Sequence, residues 1–336
     1  MNWKAAFVLV ACAATLVPQT PPVTILEVEI DNLVCYLDDV ADSTKKATSA
    51  AIAPRASSEI RYRTFKTNLC LGDIVAVNGK PVKGYYVQTW TQVLAATVLT
   101  PGQAIADTAG SCPGIATYAV LHPDGTPIGT IMASGIAGSP IPPGAPSGAT
   151  GSNLAVVGGT GAFFASRGQA VAGPTVTAAR GASMLEDPAY RRTNGGGKRT
   201  EIVHLIPMTW PEVMALPTGP AIFHGDDSSP VTAEKPARAG EQLVMSLSGL
   251  GPVKPNLDPG KPFPAWVSGK EHLVNSPVEV TVNGKAARMV NAIGWPGMNN
   301  VYRVDFRVPE GTAAGTATLG LSVAWINGPE VKISVR

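Results

Sequence analysis

Apolar and polar residues alternate along much of the chain with a period of two. In the segment TILEVEID, Leu26, Val28 and Ile30 fall on one face, and acidic residues fall on the other. The segment VYRVDFRVP, near the other end of the sequence, follows the same pattern. Because successive side chains of a β-strand point to opposite faces, this alternation predicts many half-buried strands.

Turn signals separate the predicted strands. Asn-Gly or Asp-Gly pairs begin at Asn78, Asp124 and Asn283, each between apolar runs. Residues of these types tolerate the positive φ angles of a tight hairpin. The 36 glycines, the 30 prolines and the low share of charged residues, 15%, fit poorly with long amphipathic helices. We therefore expect an all-β, antiparallel protein.

One apolar run, LAVVGGTGAFFASRGQA, carries clustered glycines and has to be distinguished from a dinucleotide-binding loop. Such a loop needs a further glycine at a set spacing and a helix after it. Phe164 stands where that glycine is expected, and Gly168 and Pro174 would interrupt the helix. The segment is therefore predicted to be a β-hairpin, and no cofactor is expected.

The domain organisation follows from length and from one break in the strand pattern. A chain of 336 residues is long enough for two ordinary domains. The proline-punctuated stretch TWPEVMALPTGPAIF interrupts the alternation. We expect a β domain, either a barrel or a curled sheet, over residues 24–210, a linker over 211–222 and an antiparallel β-sandwich over 223–336.

The first residues, MNWKAAFVLVACAATLVPQT, have the features of an export signal. Lys4 precedes a run of about 13 apolar residues, which is too short to span a bilayer. We expect residues 1–19 to be a signal peptide and the mature protein to be secreted or periplasmic. The alternative is lipid attachment at Cys12, which ends the lipobox-like LVAC. No other apolar run is long enough to span a membrane.

Three cysteines follow the leader: Cys35, Cys70 and Cys112. An oxidising compartment favours one disulfide and one free thiol, and the sequence leaves the pairing open. The alternative is that each cysteine is a small buried apolar residue.

Several function classes find no support in the sequence. The formal net charge of +2 gives no basic surface for nucleic acid. The four histidines and the cysteines lack metal-ligand spacing, so no metal is expected. No Gly-x-Ser-x-Gly elbow occurs, and no local motif joins a nucleophile to a base. The basic cluster around Arg191, Arg192, Lys198 and Arg199 is interpreted as a solvated loop.

Two segments of the first half resemble a known superfamily. LGDIV at residues 71–75 and VVGGTGAFFASRGQA at 156–170 are similar to the marked segments of the allene oxide cyclase and dirigent superfamily. The resemblance implies an eight-stranded antiparallel barrel that often forms trimers, so a homotrimer is expected. These relatives bind a small apolar molecule in the barrel and steer its cyclisation or coupling.

The second half resembles an immunoglobulin-like carboxy-terminal domain that is repeated across exported proteins of soil acidobacteria. The resemblance lies in HGDDSSPVTAEKPARAGEQLVMSLSGLGPV, VTVNGKAA and VYRVDFRVPEGTAAG. That family is a module without an assigned activity.

The candidate site residues come from the barrel resemblance and from residue chemistry. Allene oxide cyclases use a carboxylate on the first strand, which places Glu29 in that role, with Asp31 where a polar amide is expected. An exposed acidic strand face is the alternative for both. Tyr118 is a candidate hydrogen-bond donor in the pocket or a buried core residue, and Arg167 either binds an anionic group in the lumen or pairs with a carboxylate. Asp73 of LGDIV is expected to anchor a turn.

Three functions remain open. The first is a small-molecule barrel that steers cyclisation or coupling of a reactive apolar intermediate, as an isomerase or cyclase. The second is a barrel that binds an apolar ligand without changing it. The third is a structural or surface-interaction protein built from two β domains. A deep lumen that contains Glu29 or Arg167 favours the first, and a lumen packed shut with Val, Ile and Phe favours the third.

Overall fold

The structure is a computed structural model that describes residues 23–37, 65–93, 113–136, 153–183, 186–258, 260–265 and 271–336. Within these ranges the protein is all-β, as expected, apart from one turn of 3-10 helix at Pro188–Arg191. No helix among the described residues is long and apolar enough to cross a membrane. The expected signal peptide, Cys12 and Cys112 lie outside the described residues.

The first part of the chain forms one large sheet of ten strands. These are β1 (Thr24–Leu37), β2 (Phe65–Val77), β3 (Lys80–Pro81), β4 (Lys83–Val93), β5 (Pro113–Leu121), β6 (Pro127–Ile136), β7 (Asn153–Gly161), β8 (Arg167–Thr177), β9 (Arg180–Ser183) and β10 (Gly197–Ile206). The eight long strands follow the order β2-β4-β5-β6-β7-β8-β10-β1. Antiparallel pairing of β1 with β2 closes this sheet into a barrel. The predicted eight-stranded antiparallel barrel is thereby confirmed.

Alternate residues of the wall strands fill the inside of the barrel. On β1, Leu26, Val28 and Ile30 are buried, whereas Glu27 and Glu29 are exposed. The other strands contribute further aliphatic and aromatic side chains to one core, including Ile74, Val120, Ile128, Ile131, Leu154, Val156, Phe163, Val203 and Leu205. The alternation seen in the sequence therefore distinguishes the inside of this barrel from its outer surface.

The glycine-rich segment is the β7–β8 hairpin, as the sequence predicted. A Cβ atom on Gly159 would lie 2.4 Å from the carbonyl oxygen of Phe163. Gly168 has a φ of 143°, and its Cβ would lie 1.9 Å from the carbonyl oxygen of His204. These glycines therefore allow close backbone approach within the wall.

A disulfide joins Cys35 of β1 to Cys70 of β2, at directly paired positions. The bond therefore crosses the pair of strands that closes the barrel. The two cysteines are 35 positions apart, and a cross-link over such a loop stabilises the fold by about 3 to 4 kcal/mol through the unfolded state.

The second part of the chain contains two larger sheets and a two-stranded one. Its strands are β11 (Glu212–Val213), β12 (Ala215–Leu216), β13 (Gly219–Pro220), β14 (Ile222–His224), β15 (Gln242–Ser248), β16 (Val253–Lys254), β17 (Leu273–Val274), β18 (Val278–Val282), β19 (Lys285–Ala286), β20 (Arg288–Gly294), β21 (Tyr302–Arg307), β22 (Gly315–Val323), β23 (Ile326–Asn327) and β24 (Val331–Val335). One larger sheet is built around β15, β21 and β20, and the other around β18, β22 and β24.

The two larger sheets share one apolar core, which is the packing of a β-sandwich. The first sheet contributes Leu243, Met245, Val304 and Phe306, and the second contributes Val280, Val282, Leu319 and Leu321. Residues 211–222, which were expected to be a linker, belong to this unit in the structure. β11 and β14 both pair with β15, and Val213 and Ile222 lie in the shared core.

The tip of the β22–β23 hairpin packs against one end of the barrel. Ala324 and Ile326 are buried there and belong to the barrel core, not to the sandwich core. Trp325 packs against the same barrel core. The sandwich therefore supplies apolar side chains that cover the end of the barrel where its tight hairpin turns lie.

Polar contacts also connect this end of the barrel to the sandwich. The Nδ2 group of Asn275 donates a hydrogen bond to the carbonyl oxygen of Pro127 at 2.5 Å. The Nε2 group of His122 donates to the carbonyl oxygen of Asn275, also at 2.5 Å. Lys80 of the barrel forms an ion pair with Glu279 of the sandwich. The two units are therefore packed together as well as joined by the chain.

This packing predicts that Ile326→Ala weakens the barrel although the residue belongs to the sandwich. We expect the free energy of unfolding to fall by about 2 to 5 kcal/mol, because the substitution leaves a cavity in a buried apolar cluster. Ile333→Ala is the matched control, since Ile333 is equally buried but contacts the sandwich core. Hydrogen exchange should show faster exchange in β5 and β6 for Ile326→Ala only. Unchanged exchange in those barrel strands would contradict the packing described.

Candidate functional site

A cluster of polar side chains lies inside the barrel among the aliphatic ones. Its members, which we call the luminal cluster, are Tyr86 and Gln88 of β4, Tyr118 of β5, and Arg199 and Glu201 of β10. The exposed fraction of Tyr118 is 0% and that of Glu201 is 4%. Strand alternation explains the grouping, because Tyr86 and Gln88 are two residues apart, as are Arg199 and Glu201.

Hydrogen bonds connect the five side chains into one network. The guanidinium of Arg199 lies 2.5 Å from Oε1 of Glu201 and donates to the hydroxyl of Tyr86 at 2.8 Å. The Tyr86 hydroxyl donates to Oε1 of Gln88 at 2.6 Å. The Tyr118 hydroxyl donates to Oε2 of Glu201 at 3.3 Å. Glu201 therefore accepts from both a cation and a phenol.

Aromatic contacts hold the same groups in place. The rings of Tyr86 and Tyr118 lie at opposite positions of β4 and β5, with centroids 5.2 Å apart. The guanidinium carbon of Arg199 lies 5.4 Å from the centroid of the Tyr86 ring. A cation over an aromatic face is attracted by the ring quadrupole, so this contact adds to the ion pair with Glu201.

Burial shifts the pKa values of three ionisable side chains in the cluster. It raises the pKa of the Glu201 carboxyl above its ordinary value, although Arg199 and the Tyr118 hydroxyl partly oppose the shift. Burial, assisted by the charge of Glu201, also raises the pKa values of Tyr86 and Tyr118. Both phenols therefore stay protonated at neutral pH and act as hydrogen-bond donors.

Two N–H groups in this region are buried without an acceptor among the described residues: Nε of Arg199 and Nε1 of Trp90. Trp90 follows Tyr86 and Gln88 on the same face of β4 and packs against the barrel core. A buried donor without a partner costs about 1 to 3 kcal/mol. The Nε group of Arg199 within the luminal cluster and the Nε1 group of Trp90 outside it are therefore unused hydrogen-bond donors.

The structure brings one of the four predicted site residues, Tyr118, into the luminal cluster. Glu29 is exposed on the outer face of β1, between the buried residues Val28 and Ile30. It therefore takes no part in a luminal site in this structure. The reason is the alternation of β1 from Thr24 to Ile30, which assigns Glu27 and Glu29 to the solvent face.

The other two predicted residues also lie outside the luminal cluster. Asp31 is half-buried and forms an ion pair with Nζ of Lys198 at 2.9 Å. Arg167 is exposed and donates to the carbonyl oxygens of Val157 at 2.8 Å and Ser166 at 3.1 Å, so it ties the β7–β8 hairpin together. Neither arrangement presents a charge to the lumen.

Asp73 holds the segment before β10 that carries Arg191 and Arg192 against the barrel wall. Its carboxylate accepts a bidentate pair of hydrogen bonds from Arg192 at 2.7 and 2.8 Å, another from Arg191, and one from the amide of Asn32 at 3.0 Å. Burial alone would raise the pKa of Asp73, but the hydrogen bonds from Arg192, Arg191 and Asn32 lower it overall. Arg191 and Arg192 thus have a structural role.

Four of the five cluster residues were missed by the sequence analysis. Arg199 was assigned to a solvated basic loop, whereas its side chain lies largely inside the barrel. The available signal was the run KRTEIVHLI, in which Glu201 is in phase with the buried residues Val203 and Leu205. In GYYVQTW that signal is weaker, because both faces of the strand carry aromatic or aliphatic residues.

Among the described residues, one group has the geometry to hold a metal ion. The ligand atoms of His224, Asp226 and Glu241 in the sandwich lie within 4.8 Å of one another. The ring of His224 already contacts two acceptors, Oε1 of Glu241 at 2.5 Å and the carbonyl oxygen of Lys235 at 3.2 Å. The group is thus accounted for by hydrogen bonding within the protein.

No family model matches the chain, and neither does any curated protein or any solved structure. The structure alone shows the closed eight-stranded antiparallel barrel and the additional sheets. The site is defined by its geometry: a buried ion pair, two protonated phenols and unused donors within an apolar barrel.

The ion pair inside the barrel predicts strong coupling between Arg199 and Glu201. Either Arg199→Met or Glu201→Gln alone should lower the free energy of unfolding by about 3 to 5 kcal/mol, because the remaining charge is buried and unpaired. The double variant should recover most of that loss, since both charges are removed and Gln still accepts from Tyr118. Urea unfolding of the parent protein, the two single variants and the double variant at pH 7 measures the coupling free energy between Arg199 and Glu201.

The matched control for this cycle is the pair Asp31→Asn and Lys198→Met, which joins β1 to the neighbouring strand β10 and is more exposed than the Arg199–Glu201 pair within β10. Its coupling should stay below about 1 kcal/mol. If the double variant lost as much free energy of unfolding as the two single variants together, the result would contradict a coupled buried pair.

The network around Asp73 predicts a pH dependence of stability. Because the folded-state pKa of Asp73 is lowered, its contribution is present above the unfolded pKa and is lost as pH falls through the folded value. Asp73→Asn should therefore be less stable than the parent protein at pH 7, with the difference shrinking below about pH 4. Urea unfolding across this range tests it. Glu330→Gln, at an exposed position, controls for the loss of one negative charge. A stability difference between Asp73→Asn and the parent protein that does not change with pH would contradict the prediction.

Proposed function

We propose that the barrel binds a small, largely apolar molecule in its lumen and orients it through an oxygen atom held by the luminal cluster. The observation that carries this proposal is the Arg199–Glu201 ion pair inside an apolar barrel, next to buried donors that have no acceptor among the described residues. Charges are rarely buried in a core without a role, because taking them out of water is costly.

The charges and donors of the cluster favour a ligand that carries an oxygen-containing polar group. The Nε group of Arg199 and the Nε1 group of Trp90, which have no acceptor among the described residues, are suited to a carbonyl, phenolate, carboxylate or epoxide oxygen. The aliphatic wall around them is suited to a hydrocarbon body. A largely apolar ligand with one oxygen-containing end satisfies both parts of the lumen.

The chemistry that we propose for this site is steering of cyclisation or coupling, as the resemblance to allene oxide cyclases and dirigent proteins implies. An isomerising ring closure moves no atoms to or from the ligand and needs no cofactor. Glu201 would stabilise developing positive charge, and the unused Nε–H of Arg199 would stabilise the negative oxygen. Glu201, on the strand beside β1, thus takes the role that the resemblance assigned to the exposed Glu29.

A structural role is the second candidate function, and a specific observation favours it. Large side chains fill the part of the barrel next to the β22–β23 hairpin, where Phe163, Leu205 and Ile326 are buried in one cluster. Under this alternative the luminal cluster serves only to hold the wall strands together, and the two β units serve adhesion or assembly.

The remaining expectations accompany this proposal. The Cys35–Cys70 disulfide supports an exported protein, because such bonds persist in oxidising compartments. Exposed apolar residues on the outer face of neighbouring strands, Ile115, Met132 and Val157, support self-association of the barrel. The trimer, the immunoglobulin-like identity of the sandwich and the signal peptide stay predictions.

A thermal-shift screen of apolar carboxylates and phenols on the full chain tests the lumen as a binding site. A ligand present at about 100 times its Kd should stabilise the protein by about 2.7 kcal/mol. The Arg199→Met, Glu201→Gln double variant keeps a neutral, filled lumen and should lose this stabilisation. The Asp31→Asn, Lys198→Met variant should retain it.

Two results would count against ligand binding at the luminal cluster. One is a screen in which no compound stabilises the parent protein. The other is a compound that stabilises the double variant as much as the parent. Either result favours the structural alternative.

A further inference from the structure

We propose that the cleft between the barrel and the sandwich is a second ligand site, which takes an uncharged, largely apolar small molecule with one hydrogen-bonding group. The cleft has a volume of about 520 Å³. Pockets that bind small molecules have volumes of about 300 to 1,000 Å³ and often lie at domain interfaces. The cleft lies outside the barrel and contains none of the residues of the luminal cluster.

Both units contribute walls to the cleft. The barrel supplies the β7–β8 turn, with Ala162 and Phe164, and the segment after β10, with Pro207 and Met208. The sandwich supplies mainly apolar side chains around the loop that follows β15, namely Leu250, Val253, Leu257, Phe263, Val323 and Ile326. The site therefore exists only when the two units are packed as described.

Ser166 provides the polar contact in this cleft. Its exposed fraction is 1%, and its hydroxyl has no hydrogen-bond partner among the described residues. Its backbone N–H donates to the carbonyl oxygen of Phe163, and its own carbonyl accepts from Arg167. The unused hydroxyl is thus the only unmet group of this residue, and buried hydroxyls in native proteins are almost always paired.

The charges around the cleft favour an uncharged ligand. Lys261 and Asp258 form an ion pair at 2.9 Å, and both side chains are largely exposed. They neutralise each other at the rim and are well hydrated. The hydroxyl of Tyr302, another lining residue, already donates to the carbonyl oxygen of Gly251 at 2.7 Å. Ser166 is therefore one polar group for a ligand's carbonyl or hydroxyl, together with Thr209, Asn256 and Asn300, which also line the cleft.

Exposed apolar side chains at the cleft support an apolar ligand body. The exposed fraction of Phe164 is 69% and that of Met208 is 64%, and both residues line the cleft. Covering apolar surface is favourable in proportion to the area removed from water. A concave site of this volume matches a small molecule, whereas a protein partner needs a broad surface.

The test uses the neutral fluorescent ketone 6-propionyl-2-(dimethylamino)naphthalene, which has an apolar body and one carbonyl acceptor. We expect saturable binding to the full chain, with the emission shift of a probe that leaves water. Ser166→Ala removes only the hydroxyl and should weaken binding by about five-fold to ten-fold. Thr209→Trp places a large side chain at an exposed position that lines the cleft and should abolish binding.

Thr89→Trp is the matched control, because Thr89 is exposed on the outer face of the barrel and does not line the cleft. It should leave the affinity unchanged. The Arg199→Met, Glu201→Gln double variant tests whether the probe occupies the lumen and should also bind normally. Circular dichroism and thermal unfolding establish that each variant is folded.

The proposal is overturned if the parent protein shows no saturable binding, or if folded Thr209→Trp binds the probe as well as Thr89→Trp does. It is also overturned if binding is lost in the Arg199→Met, Glu201→Gln variant, because the probe would then occupy the lumen. Unchanged affinity in Ser166→Ala would overturn the assigned polar contact. Loss of binding in Thr209→Trp, together with retention in both controls, supports the cleft.

Discussion

Antiparallel pairing of β1 with β2 is the interaction on which the rest of this structure depends. It converts an open sheet of eight long strands into a closed barrel, so that every wall strand has two neighbours. Closure removes the unpaired edges that a sheet otherwise exposes, and the Cys35–Cys70 bond lies across the closing pair. It also removes the inward side chains from water, so each of them must be apolar or must find a polar partner.

The luminal cluster is the consequence of that requirement for five polar side chains. Arg199 and Glu201 neutralise each other, and Gln88 and the two tyrosines occupy most of the remaining hydrogen-bonding capacity. A network that is almost satisfied stabilises the barrel, and the Nε group of Arg199 is left without an acceptor among the described residues. The second unit adds a further constraint, because its β22–β23 hairpin covers one end of the barrel and creates the adjacent cleft.

The fold was more predictable than the site, for a physical reason. Residues such as Leu26, Val28 and Ile30 reveal a strand through local alternation alone, and Asn78 and Asp124 reveal turns through their tolerance of unusual backbone angles. A site depends on residues that are distant in the sequence. Tyr118 and Glu201 are 83 positions apart, and no local pattern indicates that they meet. Residues 211–222 show the same limit, because their prolines indicated a break and not the sheet that they join.

The sequence by itself determined the class of structure: all-β and antiparallel, with a second β unit after a proline-rich break. These features follow from side-chain period and turn chemistry, which act between residues close together along the chain. The number of barrel strands was expected only from the resemblance to the allene oxide cyclase and dirigent superfamily. Only the tertiary structure decided which polar residues lie inside the barrel. It assigned Glu29 to solvent and Glu201 to the lumen, because strand register decides which face of each strand is enclosed when the barrel closes. The packing of Ile326 into the barrel core likewise depended on contacts between units that no local pattern encodes.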